Sequence, residues 1–296
     1  MGKYQTPLRY PGGKQKIAPF IIEIIKENDL AGGQYAEPYA GGAGVAIELL
    51  LGDVVSHIHL NDSCPSVFSF WHSILHETEE FCHRISRVSL NIDEWKKQRK
   101  IFFNPKNANR LSLGFAMFYL NRCNRSGILS GGVIGGLNQN GKWKMDARFP
   151  RNELIRRIEA IAEKKRYIHL RNWDAERFII EYLPRLPLQS LVYCDPPYFN
   201  KAEKLYQSHY TPEDHAHISN IIQNKIKHPW VVSYDSNPSI LTYYQQYRHF
   251  VYTLQYNAAL VYKGHEVFIF SDDLRIPNES SVPYINQALE TLIDAI

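Results

Sequence analysis

The sequence lacks several features that would tie a protein to a compartment or a chemistry. Its 296 residues include four cysteines, Cys64, Cys82, Cys123 and Cys194, set far apart and without a Cys-x-x-Cys pair. That spacing argues against a disulfide framework or a cysteine zinc site and for reduced thiols. The pairs His57/His59 and His215/His217 have no third ligand nearby, so they read as strand or helix surface residues, and no metal is expected. No apolar run approaches the ~20 residues of a membrane span. The opening "MGKYQTPLRYPGGKQK" is polar and basic, without the apolar core of a secretory signal. The expectation is a soluble, cytoplasmic protein. Two familiar phosphate loops are missing as well. The "GGK" at 12–14 lacks the upstream glycine and following hydroxyl of a P-loop, and "EPYAGGAG" at 37–44 lacks Gly-x-Gly-x-x-Gly spacing.

What is present is an ordinary apolar fraction of 44%, enough for a substantial core, and a net charge of only +4. The basic residues cluster. "EWKKQRKIFFNPKNANR" at 94–110 sets Lys96, Lys97, Arg99, Lys100, Lys106 and Arg110 against one glutamate, and 156–171 holds a second basic run. By themselves these runs fit solvated helix faces and phosphate contacts equally well.

Residues 15–28 carry apolar positions at helical spacing, followed by a short strand at 35–37, a glycine-rich turn, a helix from about Gly44 and a second strand in "SHIHLND" at 56–62. That order begins a parallel α/β unit. Residues 65–125 read as largely helical. The glycine-rich stretch after them has a hairpin signal at Asn140-Gly141. Strands and helices alternate again from about 152, with strands in "RYIHLRNWD", "LVYCDPPY", "PWVVSYDS" and "HEVFIFSD". The middle of the chain therefore reads as an insertion into one discontinuous α/β domain.

Three places carry chemistry. The turn "EPYAGGAG" would bring main chain close to a ligand at a helix N-terminus, while Glu37 at its start would repel pyrophosphate and suit a cation or amine. A positively charged adenosine cofactor fits better than a dinucleotide. Asp62 ends the next strand, where an acid can accept from ribose hydroxyls or simply cap the following helix. Asp195-Pro196-Pro197-Tyr198 is the third. The lone pair of an aromatic amine is delocalised into its ring, and acceptors placed on its hydrogens localise that pair and aim it. Prolines hold the Asp195 carboxylate and the Pro196 carbonyl in place, and Tyr198 offers a ring on which a base can stack.

The stretches "PLRYPGGK" (7–14), "EPYAGGAG" (37–44), "HLND" (59–62), "FYLNR" (118–122), "LVYCDPPY" (191–198) and "HYTPEDHAHISNII" (209–222) together resemble the Dam-type adenine-specific DNA methyltransferases, over nearly the whole chain. The resemblance implies a Rossmann-like class I methyltransferase sheet, with 1–64 and 150–296 as the catalytic domain and 65–149 as an inserted, mainly helical target-recognition domain. It implies S-adenosylmethionine as cofactor and double-stranded DNA as substrate, with no metal and no membrane. It also makes a restriction endonuclease or defence-system protein the class of partner to expect.

Residue by residue, the resemblance puts Tyr10 and Lys14 against the cofactor, with tyrosine replacing a commoner tryptophan. Glu37, Pro38, Tyr39, Gly42 and Gly44 would wrap the methionine and sulfonium part, Asp62 the ribose, and Asp174 in "NWDAERF" the adenine pocket. Asp195, Pro196 and Tyr198 would activate the amine, Asp195 also touching the cofactor. Asn121 and Arg122 would enter the DNA-contacting loop, and Lys96, Lys97 and Lys100 would grip phosphates. After Arg122 the sequence departs from members that read GATC. The competing readings are the same chemistry on cytosine or an RNA base, and a catalytically silent recognition subunit. A nicotinamide-dependent dehydrogenase fails at the glycine spacing.

Overall fold

The computed structural model describes residues 5–9, 14–199, 210–257 and 261–277. Its centre is one seven-stranded sheet: β1 (Gln34–Glu37), β2 (His57–Asn61), β3 (Ile168–Arg171), β4 (Ser190–Cys194), β5 (Trp230–Asp235), β6 (His249–Asn257) and β7 (Val261–Phe270). The order across the sheet is β3-β2-β1-β4-β5-β7-β6. The first five strands run parallel, and β7 lies antiparallel between β5 and β6.

The strands are apolar on both faces because both faces are covered, as parallel sheets require. In β4, Leu191 and Tyr193 enter one core, with helices Ala18–Glu27 and Gly44–Leu51, while Val192 and Cys194 enter the other, with Pro212–Lys225. Strand order reverses between β1 and β4, so their C-terminal ends flank a crevice of the kind in which α/β sheets bind ligands. The expected α/β architecture is present.

The insertion is helical, with helices Pro65–His76, Thr78–Arg87, Ile92–Phe103 and Arg110–Cys123. Asn91 and Asn109 cap the last two through their side-chain oxygens. Phe70, Trp71, Phe115 and Phe118 belong to the same apolar cluster as Ile47 and Leu60 of the sheet region. The core therefore runs from insertion to sheet without a break at residue 64.

Several expectations fail. His59 and His215, read as surface residues, are 4% and 1% exposed because Tyr182 and Tyr234 partner their Nδ1 atoms inside the core. The hairpin foreseen at Asn140-Gly141 is an irregular loop, because the Gln139 side chain takes the carbonyls of Ile134 and Gly136 that strand pairing would use. Strand β6, unforeseen in "HFVYTLQYN", covers the outer edge of β7. All four cysteines are free, and no described helix is long and apolar enough to cross a membrane.

Candidate active site

β1 delivers Glu37 to the switch point. The residue is 3% exposed, and its Oε1 accepts from Tyr35 Oη at 3.0 Å and Ala46 N at 3.2 Å. Burial pushes its carboxyl up to about 8 despite both hydrogen bonds. Pro38 is buried and its carbonyl accepts from Asn61 at 3.0 Å. Tyr39 meets Tyr210 hydroxyl to hydroxyl at 3.1 Å. The turn then passes through left-handed Ala43, and Gly44 opens the helix. The Gly42 carbonyl accepts from Thr6 Oγ1 at 2.6 Å.

Asp62 follows β2 and fastens this turn from the side. Its Oδ2 accepts from Gly41 N and its Oδ1 from Cys64 N, both at 2.9 Å. Burial raises its carboxyl to about 6, against the pull of those two bonds. Asn61 beside it donates to Pro38 O and Trp173 O and accepts from Trp173 N, each at 3.0 Å. The ends of β1, β2 and β3 are thus tied by one buried amide. Asp174, beyond β3, is exposed and caps the next turn by accepting from Arg177 N at 2.8 Å.

Asp195 leaves the end of β4 with its side chain 24% exposed. Ser233 of β5 donates to its Oδ1 at 2.7 Å, and Lys14 Nζ lies 3.2 Å from the same oxygen. Tyr193 Oη sits 2.6 Å from Ser233 Oγ, which extends the chain of hydroxyls. Burial lifts the Asp195 carboxyl above the usual range, with Lys14 opposing and Glu266 adding to the rise. Pro196 is buried behind it.

Tyr198 is 5% exposed and donates to Glu266 Oε1 at 2.9 Å. Glu266 of β7 is fully buried and also accepts from Tyr252 Oη and from Lys14. Lys14 consequently lies between two carboxylates. Burial pulls its pKa down, and Asp195 and Glu266 together more than reverse this, so it stays charged. Its ammonium is 5.5 Å from the Tyr198 ring centroid.

The structure joins Lys14, Asp195 and Tyr198 through Glu266, with Glu37 on neighbouring β1 and Asp62 fastened to the turn that follows it. Tyr10 lies outside the described residues. Lys96, Lys97 and Lys100 are exposed on helix Ile92–Phe103, with Lys97 3.5 Å from Glu94. Asn121 and Arg122 are buried. Asn121 is 1% exposed, accepts from Arg9 N and donates to Arg9 O, each at 2.7 Å. Arg122 is 7% exposed, faces the Pro7 carbonyl and is lowered to about 9 by burial among other arginines. Both lie in the last turn of a buried helix and hold the strap at Pro7 and Arg9. Gly127 makes room for that strap: its φ is +75°, and a Cβ there would overlap the Arg9 carbonyl. Sequence reasoning missed Glu266, Ser233 and Tyr252. Its one available signal was an acid inside the apolar run "HEVFIF".

A parallel sheet reversed at β1/β4, with an antiparallel β7 slotted between β5 and β6 and acids at the ends of β1 and β4, has the arrangement of a class I methyltransferase sheet. Residues 10–258 match the model of the D12 class N6 adenine-specific DNA methyltransferases, and the chain belongs to that family. It is 25% identical over 254 residues to a retron Ec67 DNA adenine methylase of Escherichia coli, covering 82% of each chain. It is 27% identical over 207 residues to a DNA adenine methylase of Vibrio cholerae, covering 67% of this chain and 66% of that one. A solved precorrin-6y C5,15-methyltransferase of Geobacter metallireducens shares 9% identity over 87% of this chain and 88% of its own, and at a TM-score of 0.36 that likeness adds nothing to the strand order. The chain is an adenine-specific DNA methyltransferase.

Proposed function

We propose that the chain moves a methyl group from S-adenosylmethionine to the exocyclic amine of an adenine flipped out of duplex DNA. The observation that carries this is the state of Asp195. Ser233 and Lys14 both hold Oδ1, so among the described residues Oδ2 is the oxygen left to accept from an amine. The Pro196 carbonyl, fixed by its ring and by burial, supplies the second acceptor. Two acceptors on the two amine hydrogens turn the nitrogen lone pair out of the ring plane and toward the methyl donor.

The crevice suits a cationic cofactor. Glu37 is a buried carboxyl whose pKa burial holds near 8 and which no described lysine or arginine pairs, so its ionised form lacks a counter-charge. Such a group is stabilised by a positive ligand. Glu37 and the turn from Pro38 to Gly44 would hold the amino-acid and sulfonium end, and Asp62, Asp174 and Lys14 would line the rest. Bound there, S-adenosylmethionine supplies a methyl group that is already activated. The chain's own part is orientation, and the amine proton leaves to Asp195 or to water once the N–C bond has formed. Glu266 acts as a positioning residue: it fixes the Tyr198 hydroxyl and spaces Lys14 from Asp195. Since the Tyr198 ring is 5% exposed, a base reaches it by local opening.

Extrusion is required because the amine is inaccessible while stacked and paired. The insertion, 65–149, would serve target recognition, with 1–64 and 150–296 as the catalytic unit. Lys96, Lys97 and Lys100 would touch phosphates, and the retron relative's name makes a defence-system partner the first to seek. Incubation with tritiated S-adenosylmethionine and unmethylated duplex DNA tests the reading. Label should appear in N6-methyladenine; label in cytosine, or none, refutes it.

A further inference from the structure

The insertion ends in a loop that presents a large aromatic ring to solvent. Trp143 is 66% exposed and Leu137 on the same loop is 60% exposed, whereas Trp71, Trp95 and Trp230 are at most 7% exposed. The loop is nonetheless well knit. Arg125 N donates to Gly132 O at 3.0 Å and Ile134 N to Cys123 O at 2.9 Å. Gln139 donates to the carbonyls of Ile134 and Gly136 at 2.8 and 2.7 Å, and its Oε1 accepts from Met145 N at 3.1 Å. Gly135, at φ +86°, lies so close that a Cβ on it would strike the Trp143 carbonyl. The indole is therefore carried on a fixed scaffold.

Its surroundings are strongly basic. Between 123 and 151, Arg125, Lys142, Lys144, Arg148 and Arg151 face a single acid, Asp146. The Lys142 ammonium is 6.0 Å from the indole. Arg99, on the helix bearing Lys96, Lys97 and Lys100, reaches the carbonyls of Ser130 and Gly131 at 3.4 and 3.3 Å, so the two basic surfaces are joined. On the other side, Asn121 and Asn124 hold Arg9, five positions before Lys14. An exposed ring among cations, on a scaffold that also holds Arg9, matches the combination that binds nucleic acid by stacking and charge.

We propose that Trp143 is a base-stacking contact, pressed against a nucleobase exposed where the duplex opens for adenine extrusion. This rests on the methyl-transfer reading above. An intact duplex shows no base face along its length, so the contact forms on opened DNA and helps keep it open.

The test uses the full chain, unmethylated plasmid DNA and S-adenosylhomocysteine. Acrylamide quenching of tryptophan emission is measured with and without DNA, for the wild type, Trp143→Phe and Trp143→Ala. In the wild type, DNA should shield the exposed emitting component that Trp143→Ala lacks. DNA affinity should fall roughly tenfold to a hundredfold in Trp143→Ala, the usual range for a lost base stack, and little in Trp143→Phe, which keeps a ring. Unchanged quenching on bound DNA, or wild-type affinity in Trp143→Ala, overturns the proposal. An equal loss in Trp143→Phe and Trp143→Ala overturns it too, because stacking tolerates either ring. Methylation by the wild type is followed in parallel samples with S-adenosylmethionine in place of S-adenosylhomocysteine. Its absence sinks the functional reading, whereas methylation with Trp143 still quenchable sinks only the stacking contact.

Discussion

Replacing Glu266 by glutamine tests whether the site is a coupled unit. The carboxylate accepts from Tyr198, Tyr252 and Lys14 while fully buried. Glutamine offers one carbonyl oxygen and turns an amide donor toward a group that is itself a donor. Hydrogen bonds to charged groups contribute about 1.5–3 kcal/mol each. Losing one of them costs about 2 kcal/mol, and if the lost order appears in the transition state, kcat falls ~30-fold. The same change moves the pH profile. Glu266 helps to raise the Asp195 carboxyl, after burial itself; without its charge Asp195 ionises at lower pH, so the acid limb of kcat shifts downward. The assay is steady-state methyl incorporation into duplex DNA across pH, with thermal denaturation as a folding control. A Glu266→Gln enzyme with wild-type kcat and an unmoved acid limb would refute the coupling.

Cofactor affinity should fall as pH drops below about 8, because a cationic ligand binds the ionised form of Glu37 and burial holds that carboxyl near 8; calorimetry on Glu37→Gln should show a weaker but flatter dependence. His59 gives a stability prediction. It is buried between Tyr182 at 2.9 Å and Gln34 at 2.8 Å, and burial, with the neighbouring histidines, lowers its pKa to about 3. A depressed folded pKa means the unfolded chain takes up the proton first, near the ordinary histidine value of 6.5. Stability is therefore present above that pH and falls by about 3 kcal/mol between pH 7 and 4. Urea midpoints should show this loss, and His59→Gln should reduce it. Neutralising Lys96, Lys97 and Lys100 together should weaken all DNA sequences alike and make the salt slope shallower by about 3; an unchanged slope returns that helix to plain solvent.

The Asp195–Tyr198 corner was legible in the sequence because its pattern is local. An acid, two prolines and an aromatic residue at the end of a buried strand have few other uses, and Glu37 and Asp62 likewise sit at strand ends. Glu266 was not legible, because one acid in an apolar strand resembles ordinary alternation and its partner Lys14 is 252 positions away. The burial of Asn121 and Arg122 was not read from the motif, because it follows from the helix that carries them. Residues 110–123 are apolar on every side, with Leu111, Leu113, Phe115, Met117, Phe118 and Leu120 all buried. A helix hydrophobic all round lies inside, so polar groups in its last turn had to be buried as well.

The account depends on Asp195 turning an adenine amine into a nucleophile. The most direct measurement is single-turnover transfer by Asp195→Ala with saturating cofactor and DNA, followed by nucleoside analysis. N6-methyladenine should form with the wild type and be undetectable with the variant, while the variant still folds and still binds DNA. Methyladenine formed by the folded variant at a wild-type rate would contradict the account.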